Sequence, residues 1–177
     1  MILFHGSGKR FDEFDQPITW LTSDYDYALE FAGFASDVKY IYSCEIPDDL
    51  NLFDCGDTGG NCFSLIPLKP FRLSDKLQDI VDRLGVDESE IRDIIESVAN
   101  EYDEPMGGYK MHIHVLTRSK EFRDLLFDLG YDGVKCIEEG KDTWGIFDPE
   151  NVIITGMADV GRDSIESAMS ELSDEEY

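Results

Sequence analysis

The sequence predicts an α+β domain with a split, mostly antiparallel β-sheet core and a helical insertion, and two observations carry that prediction. β-rich runs stand near both ends of the chain, and amphipathic helical spacing fills much of the stretch between them. These boundaries place the domain at residues 1–156, with the insertion at about 75–104. An acidic C-terminal helix or mobile tail is expected at 157–177, where Ala, Ser and acids dominate.

Residues 1–5 read as a strand that Gly6-Ser7-Gly8 ends in a turn. Ser23 and Asp26 resemble a capping pair for a helix whose apolar stripe is Ala28, Leu29, Phe31 and Ala32, ending near Gly33 or Phe34. Residues 38–46 are β-rich until Pro47 stops them. Residues 54–61, rich in Gly, Asp and Thr, read as a surface loop.

Helical spacing returns at 75–84, with Leu77, Ile80, Val81 and Leu84 on one face, and at 87–102, with Ile91, Ile94, Ile95 and Val98. Ser119 is placed to cap a further helix carrying Phe122, Leu125, Leu126 and Leu129, and Gly130 to end it. A strand at 133–137, a carboxylate-rich turn at 138–142 and a returning strand at 143–147 follow. A second turn at 148–151 then leads to a short strand at 152–155.

Lys and Arg number 15 against 39 Asp and Glu, a formal net charge of −24. Such a field repels phosphate backbones and anionic membranes, so neither non-specific nucleic-acid binding nor membrane association is expected, while basic protein surfaces are attracted. Cys44, Cys55, Cys62 and Cys136 lack CxxC spacing and read as free, mostly buried thiols. His112 and His114 have no third ligand at useful spacing, so no metal site is expected. The short opening apolar run is no signal peptide, and a cytoplasmic location is expected.

Three segments stand out: His5-Gly6-Ser7 at a strand end, the aromatic stretch from Trp20 to Phe31, and the acidic turn at 138–142. In this order they resemble the histidine-type ADP-ribosyltransferases, the class shared by diphtheria-type toxins and poly-ADP-ribose polymerases. The chain is most similar to small phage ADP-ribosyltransferases that include an anti-CRISPR protein and open on the same Leu-Phe-His-Gly-Ser, here Leu3 to Ser7. A Thr-Ser-to-Ala-Leu segment at Thr22 to Leu29 also matches, as do Gly130-Tyr131, the paired acids Glu138-Glu139 and Thr143-Trp144. The resemblance covers roughly residues 1–46 and 84–148.

That resemblance implies an ADP-ribosyltransferase fold and an enzyme that takes NAD as ADP-ribose donor and modifies a macromolecule, foremost a protein with a basic or nucleic-acid-binding surface. A phage counter-defence or host-takeover role would follow. It implies Glu138 as the catalytic acid with Glu139 and Asp142 as rivals, since the polymerases place their acid directly before an aromatic and Thr143 stands there. His5 would bond the adenosine ribose, with Gly6 and Ser7 at the nicotinamide amide. Trp20 and Phe31 match the ring-stacking aromatics, and Tyr27 and Thr22 belong to the same expected donor pocket. Ala28 stands where polymerases carry a hydroxyl residue. Lys9 and Arg10 are placed to offset the repulsion between the pyrophosphate and an acidic protein.

Each residue also has a bland reading: His5 as a strand-end polar group, the aromatics as core, the acids as a solvated turn. A non-catalytic acidic decoy that blocks a nucleic-acid-binding protein is the competing function. RNA 2′-phosphotransfer and DNA-base modification are disfavoured by the charge.

Overall fold

The computed structural model describes residues 1–33, 39–57, 63–65, 75–101, 109–111 and 116–160, and the chain is mixed α+β. It divides into two compact units, Met1–Leu50 with Lys141–Tyr177, and Asn51–Gly140. In the first unit lie β1 (Ile2–Ser7), β2 (Thr19–Thr22), α1 (Tyr25–Gly33), β3 (Lys39–Glu45), β8 (Lys141–Ile146) and β9 (Ile153–Val160). Their sheet runs β8-β2-β1-β3-β9, and each of its neighbouring pairs is antiparallel.

The ladders in this sheet are unequal. β1 pairs with β3 along its whole length, from Ile2 opposite Glu45 to Ser7 opposite Tyr40. β2 and β8 pair from Thr19 opposite Ile146 to Thr22 opposite Thr143. Between β1 and β2, however, the register holds only at Phe4 opposite Thr22. The sheet is therefore opened between its second and third strands.

Side chains alternate between the two faces of a strand, so the register assigns each residue a face. Phe4 and Ile41 face α1 and pack with Ala28, Leu29, Ala32 and Val160. Leu3, His5 and Ser7 lie on the opposite face with Tyr42 and Cys44. Asp24 caps α1: its carboxylate accepts from the N–H of Tyr27 at 2.9 Å and its carbonyl from that of Ala28 at 3.1 Å. The expected Ser23–Asp26 pair is thus replaced by the residue between them.

The second unit holds β4 (Leu52–Asp57), the pair β5 (Phe63–Leu65) and β6 (Tyr109–Met111), α2 (Asp75–Leu84), α3 (Glu88–Glu101), α4 (Lys120–Asp128) and β7 (Gly133–Glu138). The buried stripes of α2 and α3 include Ile80, Val81 and Leu84, and Ile91, Ile94, Ile95 and Val98, as their helical spacing requires. Ser119 caps α4, accepting from the N–H of Phe122 at 3.3 Å. Gly130 ends it at φ 84°, with the N–H groups of Gly130 and Tyr131 returning to the carbonyls of Phe127 and Leu126. Phe122 and Leu126 are buried, whereas Leu129 is exposed, off the stripe assigned to it.

Several expectations are corrected. β1 continues through Gly6 and Ser7, where a turn was expected, because β3 supplies a partner for both. The stretch from Asp54 begins as strand rather than loop: β4 runs to Asp57 and pairs parallel with β7, burying Phe53 and Cys55. Gly56, at φ 69°, lies where that register shifts, a bulge that glycine accommodates. Residues 157–160 are strand, since β9 follows β3 as far as Lys39, with Thr155 bulged out and bonding the Ser43 carbonyl at 3.2 Å. The remainder of the expected tail, 161–177, lies outside the described residues, as do 102–104 of the insertion, 58–61 of the loop, Phe34, Cys62, His112 and His114.

Candidate functional site

His5 stands where β1 and β2 part. Its Nδ1 lies 2.8 Å from the carbonyl oxygen of Trp20. A carbonyl only accepts, so Nδ1 carries the proton and, in the neutral ring, Nε2 is left as an acceptor. Burial pushes the His5 pKa below its ordinary value of 6.5, and the bond to Trp20 opposes that shift without reversing it. At neutral pH the ring is therefore uncharged and suited to receive a hydroxyl.

Aromatic rings surround this imidazole. Phe14 and Phe11 meet it edge-on at 5.0 and 5.9 Å between centroids, and Tyr42 lies tilted to it at 6.3 Å. Phe11 stacks on Tyr42 at 4.2 Å with 14° between their planes. The Tyr42 hydroxyl accepts from the Phe11 N–H at 2.8 Å and donates to the Lys9 carbonyl at 3.4 Å. Ser7 accepts from the Lys9 N–H at 3.1 Å, starting this turn. Phe11, Phe14 and Tyr42 were not singled out in the sequence. Two phenylalanines within the polar run Lys9–Gln16 were the available signal.

Gly6 points the other way. A Cβ there would lie 1.8 Å from the Ala28 carbonyl oxygen and 2.9 Å from the Ala32 nitrogen, so α1 occupies the space a side chain would need. Helix packing thus accounts for this glycine without a ligand. On α1, Tyr27 is buried and meets Phe31 edge-to-face at 4.9 Å, while Phe31 keeps 48% of its surface exposed. Trp20 is partly buried and serves His5 through its carbonyl. Arg10 and Lys9 are exposed.

The start of β8 is tied to β2 and α1. The buried Thr22 donates its hydroxyl to the Asp142 carbonyl at 3.0 Å and accepts from the Asp24 N–H at 3.2 Å. Lys141 pairs with the Asp24 carboxylate. Burial alone would raise the Asp24 pKa, but the bonds from Lys141 and the Tyr27 N–H outweigh it and hold the group below its ordinary value. The side chain of Asp142 is partly exposed.

The acids expected at one solvated turn occupy different settings. Glu138 is the last residue of β7 and keeps 1% of its surface exposed, so it is no part of a solvated tip. Glu139 and Gly140 form the turn between β7 and β8, exposed and at φ 50° and 74°. Asp142 already belongs to β8. Within the second unit, the Cys55 thiol is pushed well above its ordinary pKa by burial first, with Cys136 and Glu138 adding to the effect. Among the described residues, no group of three or more His, Cys, Asp and Glu is placed to hold a metal ion. No helix among them is long and apolar enough to cross a membrane.

No family model and no curated protein matches the chain. Among solved structures it is similar to the M. tuberculosis MbcT–MbcA toxin–antitoxin complex, at 8% identity and TM-score 0.47, covering 96% of this chain and 88% of that one. It is also similar to the crystal structure of an anti-CRISPR protein, at 16% identity and TM-score 0.38, covering 90% of this chain and 95% of the other. Likeness at those scores assigns neither fold family nor activity.

Proposed function

We propose that the protein is an NAD-dependent ADP-ribosyltransferase of the histidine type, with an ADP-ribosyltransferase fold, acting on a protein. The observation that carries this reading is the neutral His5 ring at the opening between β1 and β2, its Nδ1 engaged by Trp20 and its Nε2 left to accept. A ribose hydroxyl is a fitting donor to such a nitrogen. The strand backbone at Gly6-Ser7 suits the nicotinamide amide, an assignment taken from the resemblance at Leu3 to Ser7.

Each remaining residue has a definite task in this reading. Breaking the bond between ribose and nicotinamide develops positive charge on the sugar, as in glycoside hydrolysis, and a carboxylate must offset it. Glu138 takes that role by resemblance, and its burial suits it, because a carboxylate acts most strongly where water is scarce. Trp20, Thr22, Tyr27 and Phe31 are assigned to the donor pocket, and Lys9 and Arg10 to its pyrophosphate. Asp142 and Glu139 are the rival acids.

The test is incubation with labelled NAD and a bacterial lysate, following label into protein, RNA or DNA. Label on protein, lost in Glu138→Gln and His5→Ala, is expected. Failure of the wild-type protein to consume NAD in any lysate overturns the reading. The net charge of −24 favours one competitor, an acidic decoy blocking a nucleic-acid-binding partner, and that reading requires Glu138→Gln to keep full inhibition of the partner.

A further inference from the structure

We infer that the outer edge of β9 is a docking site for an extended, basic segment of a partner protein, which adds to the sheet as a further strand. This goes beyond the transferase reading, because strand addition needs neither NAD nor Glu138.

β9 is the last strand of its sheet: β3 pairs with it on one side, and no described strand lies on the other. In an antiparallel ladder every second residue turns its N–H and carbonyl away from the partner, so this edge presents a row of such groups along its 8 residues. Sheet edges are commonly guarded by Lys, by Pro or by being short. β9 carries no Lys, Arg or Pro, and it is the longest described strand. Its side chains are also apolar where they are most open, since Ile153 keeps 58% and Met157 40% of their surface exposed. Ile153 lies opposite Glu45, itself opposite Ile2, and so shares the face of Phe4, whereas Met157 lies opposite Tyr42 on the face of His5. The bulge at Thr155 is what sets Ile153 and Met157 on opposite faces. An added strand therefore meets an apolar side chain on each face.

Charge selects the occupant. Asp159 on β9, Glu45 on β3, and Asp148 and Glu150 just before β9 are all exposed, while Lys39, the only Lys or Arg in either strand, is buried. A second copy of this chain would bring the same acids, on a protein of net charge −24, to the same edge. Like-charge repulsion opposes that pairing. A strand bearing Lys or Arg meets the opposite sign there, and its apolar residues are left for Ile153 and Met157. Main-chain bonds then supply affinity, and charge supplies the choice of partner.

The experiment is titration of the full-length protein, without NAD, with a fluorescent peptide of β9's length built of Lys-Lys-Val-Val repeats, which puts both residue types on each of its faces. Binding is expected, weakening as salt rises. Hydrogen exchange should slow at those β9 amides that exchange fast in the free protein, with α4 unchanged. The same peptide N-methylated at every Val keeps its charge but loses donors along both edges, and it should bind about tenfold more weakly. Ile153→Gln with Met157→Gln, both at exposed positions, should also weaken binding of the unmodified peptide about tenfold with the fold intact. Absence of binding, unchanged exchange at β9, or equal affinity for the methylated peptide overturns the site. Slow exchange at every β9 amide before peptide is added overturns it as well: in a monomer the chain then covers its own edge, and in a dimer, seen by sedimentation, a second copy does. Peptide docking at β9 in a protein that never cleaves NAD upholds the site and removes only the transferase reading.

Discussion

His5 bridges a break in its own sheet: its Nδ1 donates to the carbonyl of Trp20 at 2.8 Å, next to the point where β1 and β2 keep a single registered pair, Phe4 opposite Thr22. A side chain there takes up a carbonyl beside the point where the ladder stops, so the opening does not leave Trp20 unsatisfied. The arrangement also fixes which nitrogen of the ring is left to accept.

The first prediction concerns pH. Burial lowers the His5 pKa below 6.5, so as pH falls through 6.5 the unfolded chain takes up a proton that the folded chain refuses. The contribution is nil well above 6.5 and increasingly destabilising below it, down to the folded pKa. Urea unfolding at pH 7.5 and 5.5 should show a larger loss for wild type than for His5→Gln. Equal losses in both proteins would mean the ring is protonated in the fold.

Gly6→Ala tests the approach of α1 to β1. The new Cβ would meet the Ala28 carbonyl at 1.8 Å, a backbone atom that moves only with the helix. Overpacking of this kind costs about 3 kcal/mol, at the upper end of the usual range. Thermal unfolding measures it, and a variant as stable as wild type would show that α1 sits farther from the sheet.

Glu138 and Glu139 should behave as opposites. Glu138→Gln keeps the shape of the buried side chain and removes its charge, so NAD turnover is expected to fall about 10²- to 10³-fold with the fold intact. Glu139→Asn replaces a residue at φ 50° with one that accepts left-handed backbone, giving Asn-Gly at the turn and about 0.5–1 kcal/mol of added stability with turnover unchanged. Loss of turnover in Glu139→Asn would instead make Glu139 the working acid.

The buried thiols should be inert. Burial pushes Cys44 up to about 12 and Cys55 well above its ordinary value, so little thiolate exists at pH 8. Iodoacetamide is expected to label Cys44, Cys55 and Cys136 only on unfolding, read by peptide mass spectrometry. Rapid labelling of Cys55 in the native protein would contradict the burial of β4.

Local chemistry made some elements legible from the chain alone. The cap at Ser119 and the stop at Gly130 are encoded within one turn of α4, and the apolar spacing of α2 and α3 needs no distant partner to be read. β4 was hidden because Asp54, Gly56 and Asp57 are poor strand formers, and its pairing with β7 joins residues some 80 positions apart. β9 was cut short for the same reason: Gly156, Ala158 and Asp159 become strand because β3 lies beside them.

The chain by itself determined the mixed α+β class and the helical middle, because each depends on short-range pattern. Tertiary structure decided the rest. It gave Gly6 to helix packing, enclosed His5 with Phe11, Phe14 and Tyr42, and placed three neighbouring acids in a buried strand end, an exposed turn and a partly exposed strand. Burial and the orientation of a ring nitrogen arise only when strands distant in sequence are brought side by side, and no local pattern records them.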